Sequence, residues 1–149
     1  MNGTEPAYDA NNPVVRGGQP VVEKAYLTDA FIREALDFIA RNKDKPFFLL
    51  LAYNAVHGPL RTDKSKPTSA PEAWVKKALD RGVSFLRSDY VAILEHMDDN
   101  IGRLVDLLDE LGIADNTLIV FVSDNGGCTM EEDAAGGRFP GNNGPFSGG

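Results

Sequence analysis

Two short polar clusters carry the residue types best suited to chemistry. Asp124-Asn125-Gly126-Gly127 sets a carboxylate beside a carboxamide where glycines let the backbone turn sharply. Two hard oxygen donors in that setting suit Ca²⁺ or Mg²⁺; the competing reading is an Asx-type turn that merely closes the preceding strand. His57 follows a long apolar run and precedes Gly58-Pro59, so its ring belongs at an edge rather than inside a helix. An imidazole so placed could protonate a leaving group or contact an oxyanion, or it could simply be exposed.

Other candidates have simpler readings. His96, beside Glu95, falls on or near the polar flank of a helical pattern and is expected to be solvated or capping. Asp98-Asp99-Asn100 looks like an acidic cluster, but neighbours on a helix point about 100° apart, so a solvated face is expected. Arg61, Lys64 and Lys66 could attract an anion, although a solvated basic loop accounts for them, and Glu131-Glu132-Asp133 is a charged loop. Cys128 is the only cysteine, so no intrachain disulfide can form.

The elements that must position these clusters follow from periodicity. Residues 1 to 24 are dense in turn formers (Pro6, Asn11-Asn12-Pro13, Gly17-Gly18, Pro20), which predicts a loop with at most one short strand. From Thr28, a candidate N-cap, Phe31, Ile32, Ala35, Leu36, Phe38 and Ile39 recur at helical spacing and predict a helix over 28–41. Phe47 to Tyr53 is a continuous apolar run of the kind found in strands buried on both faces. The Pro- and Ser-rich stretch from His57 to Pro71 predicts a long excursion, with a short helix over 71–79. Tyr90, Leu94, Met97, Ile101, Leu104, Leu108 and Leu111 then alternate spacings of four and three, predicting a long helix from Ser88 that Gly112 stops. Within it Gly102 is expected to permit close packing. Thr117 to Val122 is a second β-branched run, and a Gly-rich loop follows to Gly149.

Two strands joined through a long helix imply a parallel pair with a right-handed crossover, hence an α/β class. Both strand ends, and so both polar clusters, should then share one sheet edge, where open α/β sheets bind ligands. Composition narrows the partners. Fifteen Lys plus Arg against 22 Asp plus Glu give a net charge of −7, which argues against a phosphate-binding nucleic-acid surface. The longest apolar run is far short of the roughly 20 residues a membrane span needs, so no transmembrane segment is expected. The N-terminus lacks the basic and apolar regions of a secretory signal.

Taken together, the pieces resemble the sulfatase family of the alkaline phosphatase superfamily. The resemblance rests on Tyr26-Leu27-Thr28-Asp29, on Pro46 to Tyr53 leading into His57-Gly58-Pro59, on Asp98-Asp99-Asn100-Ile101-Gly102-Arg103-Leu104, and on Asp115-Asn116-Thr117 leading into Ser123-Asp124-Asn125-Gly126-Gly127. It implies an alkaline-phosphatase-like sheet of parallel strands with flanking helices, and hydrolysis of a sulfate ester by a formylglycine at a Ca²⁺ site. Residue by residue, it makes Asp124 and Asn125 half of the metal site and His57 the histidine that contacts the ester and protonates the leaving oxygen. The substrate would be a sulfated small molecule or glycan, and the compartment periplasmic, lysosomal or extracellular.

Departures from the family pattern are equally specific. Cys128-Thr129-Met130-Glu131-Glu132 lacks the Pro or Ala and the Arg of the C/S-x-P/A-x-R modification motif, and no serine begins one. The paired acids that end the family's first strand have no counterpart, and the family's Gly-Gly-Lys stops here at Gly148-Gly149. The chain therefore reads as a central piece of a catalytic domain, with a lead-in over 1–24, a helix-strand-loop-helix-strand core over 25–127 and an active-site loop over 128–149. It is expected to be inactive and poorly soluble without the rest of that domain, and to bind Ca²⁺ weakly. A phosphodiesterase or phosphonate-ester hydrolase of the same superfamily, and a non-catalytic remnant or binding module, are the alternatives.

Overall fold

The structure, a computed structural model, describes residues 13–57, 60, 64–65, 67–127 and 144–145. Arg61, Lys66, Gly58-Pro59, Cys128, Glu131-Glu132-Asp133 and Gly148-Gly149 lie outside the described residues.

The chain begins with a small antiparallel hairpin, β1 (Val14–Arg16) and β2 (Gln19–Val21), in the register Val14 opposite Val21 and Arg16 opposite Gln19. Two short strands therefore stand where at most one was expected. The reason is Gly17-Gly18: both have positive φ, 56° and 81°, the backbone that a two-residue turn of type I′ needs to match strand twist.

Three helices follow: α1 (Leu27–Asn42), α2 (Glu72–Asp80) and α3 (Phe85–Glu110), with a 3₁₀ turn at Ala114–Asn116. The three expected helices are present, with α1 and α2 within about a residue of their predicted ends. Thr28, however, is not the N-cap of α1. That position is Tyr26, whose carbonyl accepts the Ala30 N–H at 3.0 Å, while Thr28 is buried in the first turn. Helix α3 begins three residues before Ser88, because the link from α2 is only Arg81 to Ser84.

Gly112 ends α3 as the pattern predicts. Its φ is 68°, its N–H donates to the Asp109 carbonyl (2.9 Å), and the Ile113 N–H donates to the Leu108 carbonyl (3.0 Å), the paired bonds of a Schellman motif. Gly82 closes α2 the same way, with Gly82 and Val83 N–H groups on Leu79 and Ala78.

Helix α3 is central, with α1 and α2 packed on it. Ile32, Ala35 and Ile39 of α1, Val75 and Ala78 of α2, and Ala92, Ile93, Met97 and Leu108 of α3 are buried. Each larger aliphatic side chain taken fully from water contributes about 1.5–3 kcal/mol. Because α3 is covered by two helices, its buried face is wider than one apolar stripe and takes in Ser88, Asp89, His96 and Asn100. This corrects the solvated placement expected for His96 and Asn100; Asp98 and Asp99 do face solvent. Gly102 is corrected too. It is exposed, and among the described residues a Cβ there would meet nothing within 4 Å, so none of them packs closely on it.

The two apolar runs do not form the expected parallel pair. Among the described residues the single sheet is the β1–β2 hairpin. Residues 47–54 instead alternate strictly between part-buried and exposed, the period of an extended segment with one face covered. Phe47 packs edge-on against Phe38 (5.8 Å between centroids) and Tyr53 against Phe31 (6.4 Å), so α1 covers the odd face. The even face is open, with Phe48 84% exposed. Residues 118–122 are exposed throughout, Leu118 at 89%. Parallel ladders persist where both faces of a sheet are covered, and these helices cover at most one.

Candidate functional site

His57 ends a turn that begins where the Phe47–Tyr53 run stops. Its backbone N–H donates to the Asn54 carbonyl at 2.8 Å, and the residue is exposed. Beneath the turn, Ala55 and Val56 pack with Leu60 and Trp74 on the buried cluster of Ala70, Val75, Ala92 and Ile93. The imidazole is thus carried on a turn seated on the α2–α3 core.

Tyr53, at the same end of the run, has a buried hydroxyl with no hydrogen-bond partner. Burial raises its pKa above the usual phenol value, and the Arg103 guanidinium partly offsets that rise. Arg103 itself donates to Asn100 Oδ1 at 2.8 Å, while Asn100 Nδ2 donates to the His96 carbonyl at 2.8 Å.

Asp124 and Asn125 sit in an exposed bend after the second apolar run. The turn there is closed by Ser123, whose hydroxyl accepts the Gly126 N–H at 3.0 Å, with Gly126 at φ 78°. The carboxylate of Asp124 is not what closes it, so the Asx reading fails in its simplest form and both side chains keep their oxygens available. Among the described residues no three His, Cys, Asp or Glu side chains gather as a metal site would require. Asp124 and Asn125 therefore fit a cation as two of the roughly six to eight oxygen ligands Ca²⁺ takes, and no more than that.

The other histidine is placed quite differently. His96 is 5% exposed, between the rings of Tyr26 and Trp74 at 5.3 and 5.4 Å, with Nε2 2.9 Å from Asp29 Oδ1. Lys64, exposed as a loop cation is expected to be, lies over the Phe85 ring and Lys77 over Trp74, at 5.7 and 4.3 Å from the centroids.

Sequence reasoning missed one buried acid, which holds the far end of the excursion that begins at His57. Asp89, 1% exposed at the start of α3, accepts the Ser69 N–H at 2.6 Å, and the Ser69 carbonyl accepts the Tyr26 hydroxyl at 3.3 Å. The local signal was faint: an acid one residue before Tyr90, in a helix whose apolar pattern points to its neighbours.

The family model described as Sulfatase matches residues 2–148. Human N-acetylgalactosamine-6-sulfatase is 36% identical over 124 residues, covering 83% of this chain and 20% of that protein. Human steryl-sulfatase is 36% identical over 123 residues, and a sulfatase of Formosa agariphila 35% over 135 residues, each match covering 83% of this chain. The chain spans about a fifth of the length of these relatives. Among solved structures, Ps i-CgsB in complex with k-i-k-neocarrahexaose superposes with a TM-score of 0.71 at 37% identity, over 92% of this chain and 27% of that one.

Proposed function

This chain belongs to the sulfatase family, and from that premise we propose that it supplies His57, Asp124 and Asn125 to a formylglycine- and calcium-dependent sulfuric ester hydrolase. The observation that supports the reading is that each apolar run ends in an exposed polar cluster: His57 after the first, Asp124 and Asn125 after the second. The Asp124 carboxylate and the Asn125 carbonyl would be two of the oxygen ligands of a Ca²⁺ ion. When bound, the ion draws negative charge from the sulfate oxygens. A ring nitrogen of His57 donates its proton to the bridging ester oxygen as that oxygen leaves, which spares the alcohol from departing as an alkoxide.

The exposed faces of residues 47–54 and 117–122 call for covering strands, and the remaining metal ligands and the nucleophile must come from the same source: the remainder of the catalytic domain. The substrate is a sulfate ester of a small molecule or glycan. The net charge of −7 disfavours a nucleic-acid partner. No helix of the described residues is long and apolar enough to cross a membrane, and a periplasmic, lysosomal or extracellular setting follows from the family reading.

The test is hydrolysis of sulfate esters by the complete polypeptide carrying these residues, alongside the 149-residue chain alone. The complete polypeptide should turn over sulfate esters in preference to phosphodiesters, and Asp124→Ala or Asn125→Ala should weaken its calcium affinity. The chain alone should match buffer and bind calcium weakly by calorimetry. Preference for phosphodiesters would overturn the choice of sulfur. Turnover by the chain alone, abolished by both His57→Ala and Asp124→Ala, would overturn the division of the site.

A further inference from the structure

The position of His57 depends on groups remote from it in sequence. Its turn is held from below by Ala55 and Val56, which rest on a cluster that includes Ala70. Ala70 comes at the far end of the excursion that begins at His57, so whatever fixes residue 70 also fixes the floor of the turn. Ser69, the preceding residue, is gripped through its backbone on both sides: its N–H by Asp89 Oδ2 at 2.6 Å, its carbonyl by the Tyr26 hydroxyl at 3.3 Å.

A carboxyl group at 1% exposure is an unfavourable choice if packing is all that is needed, because a buried polar group destabilises unless it is hydrogen-bonded. An apolar side chain would fill the same space. A carboxyl also supplies a directed acceptor for a backbone N–H, and that N–H belongs to the residue next to the floor of the His57 turn.

We propose that Asp89 is a positioning residue for His57, acting through the Ser69 backbone, with Tyr26 as its counterpart on the other side. This rests on the reading of His57 as the proton donor to the leaving oxygen. In this role Asp89 acts through the Ser69 backbone and not on the reacting atoms: it sets where the imidazole stands relative to the ester.

The experiment is a double-mutant cycle in the complete sulfatase polypeptide, with kcat and KM measured for esters of poor and good leaving groups. Asp89→Leu should lower kcat for an alkyl sulfate by about tenfold or more, toward the roughly hundredfold that a 1 Å misplacement can cost, with KM little changed. An aryl sulfate whose leaving group needs no proton should be nearly unaffected. Asp89→Asn, which keeps an acceptor oxygen, should restore the rate, and in a His57→Ala background Asp89→Leu should have no further effect. Tyr26→Phe, a milder change that preserves the ring, should lower kcat in the same leaving-group-dependent way and keeps the test open if Asp89→Leu does not fold.

Losses that multiply in the double mutant, that are equal for both leaving groups, or that Asp89→Asn fails to rescue would overturn the positioning role while leaving His57 as the acid. If His57→Ala itself leaves alkyl sulfate turnover unchanged, the acid reading falls and the positioning role falls with it.

Discussion

The imidazole of His96 stands with Nε2 2.9 Å from Asp29 Oδ1, joining the middle of α3 to the first turn of α1, while Trp74 of α2 lies tilted against the same ring at 5.4 Å. One side chain of α3 thus touches both other helices. Its other nitrogen, Nδ1, is buried without a partner, so the ring is held by one polar contact and two aromatic ones.

That arrangement predicts a large stability effect from a residue outside the proposed site. His96→Ala should destabilise the fold by about 3 kcal/mol, the scale of removing a buried aromatic ring. Asp29→Ala, at a partly exposed carboxylate, should cost about 1 kcal/mol. In the double mutant the Asp29 effect should largely vanish, as measured by denaturant unfolding; full additivity would mean that the 2.9 Å contact contributes nothing.

Two glycines should respond in opposite directions. Gly102 is helical, exposed and free of neighbours, so Gly102→Ala should stabilise by about 1 kcal/mol through helix propensity alone. Gly112 has a φ of 68°, and Gly112→Ala should destabilise by about 1 kcal/mol because a Cβ is disfavoured there. Thermal unfolding of the pair checks both, and a Gly102→Ala variant that melts lower would show that something packs on that face.

The acid limb of stability should carry a contribution from Glu23. Its carboxylate accepts from the Arg33 guanidinium at 2.7 Å and from the Ala25 and Lys24 N–H groups at 2.9 Å, and these bonds, Arg33 first, lower its pKa below 4.5. A carboxyl with a depressed folded-state pKa stabilises the fold above its unfolded value, and that contribution is lost as pH falls through the folded value. Stability should therefore drop below about pH 4.5, by less than about 1 kcal/mol for a pair whose arginine is half exposed, and Glu23→Gln should flatten that part of the profile. An unchanged slope between wild type and variant would remove Glu23 from the account.

The open apolar face should govern solubility rather than helix formation. Leu50 and Val120 are exposed, and Leu50→Glu or Val120→Lys should raise the soluble fraction of the 149-residue chain with unchanged helical circular dichroism, since charges on unpaired edges block association. Lost helicity in either variant would show that these runs are packed on the helices more closely than their exposure indicates.

Much was legible in the residues alone, because it depends on local spacing. Helix α1 was readable from its apolar period, the end of α3 from Gly112, and the two polar clusters from turn chemistry at the ends of apolar runs. Which residues lie inside was not readable at that level. His96, Asn100 and Asp89 have polar side chains on a helix whose buried face is widened by two neighbours, and only the packing of α1 and α2 on α3 decides that they are covered. Gly102 failed for the converse reason: a glycine in a helix signals close approach only if another element arrives, and among the described residues none does. The two apolar runs mark the limit most clearly. Sequence determined that they are apolar and where they end, but a strand is defined by its partner's backbone. The helices of this chain cover one face of the first run and leave the second bare, so whether they pair is decided by tertiary neighbours and not by their own residues.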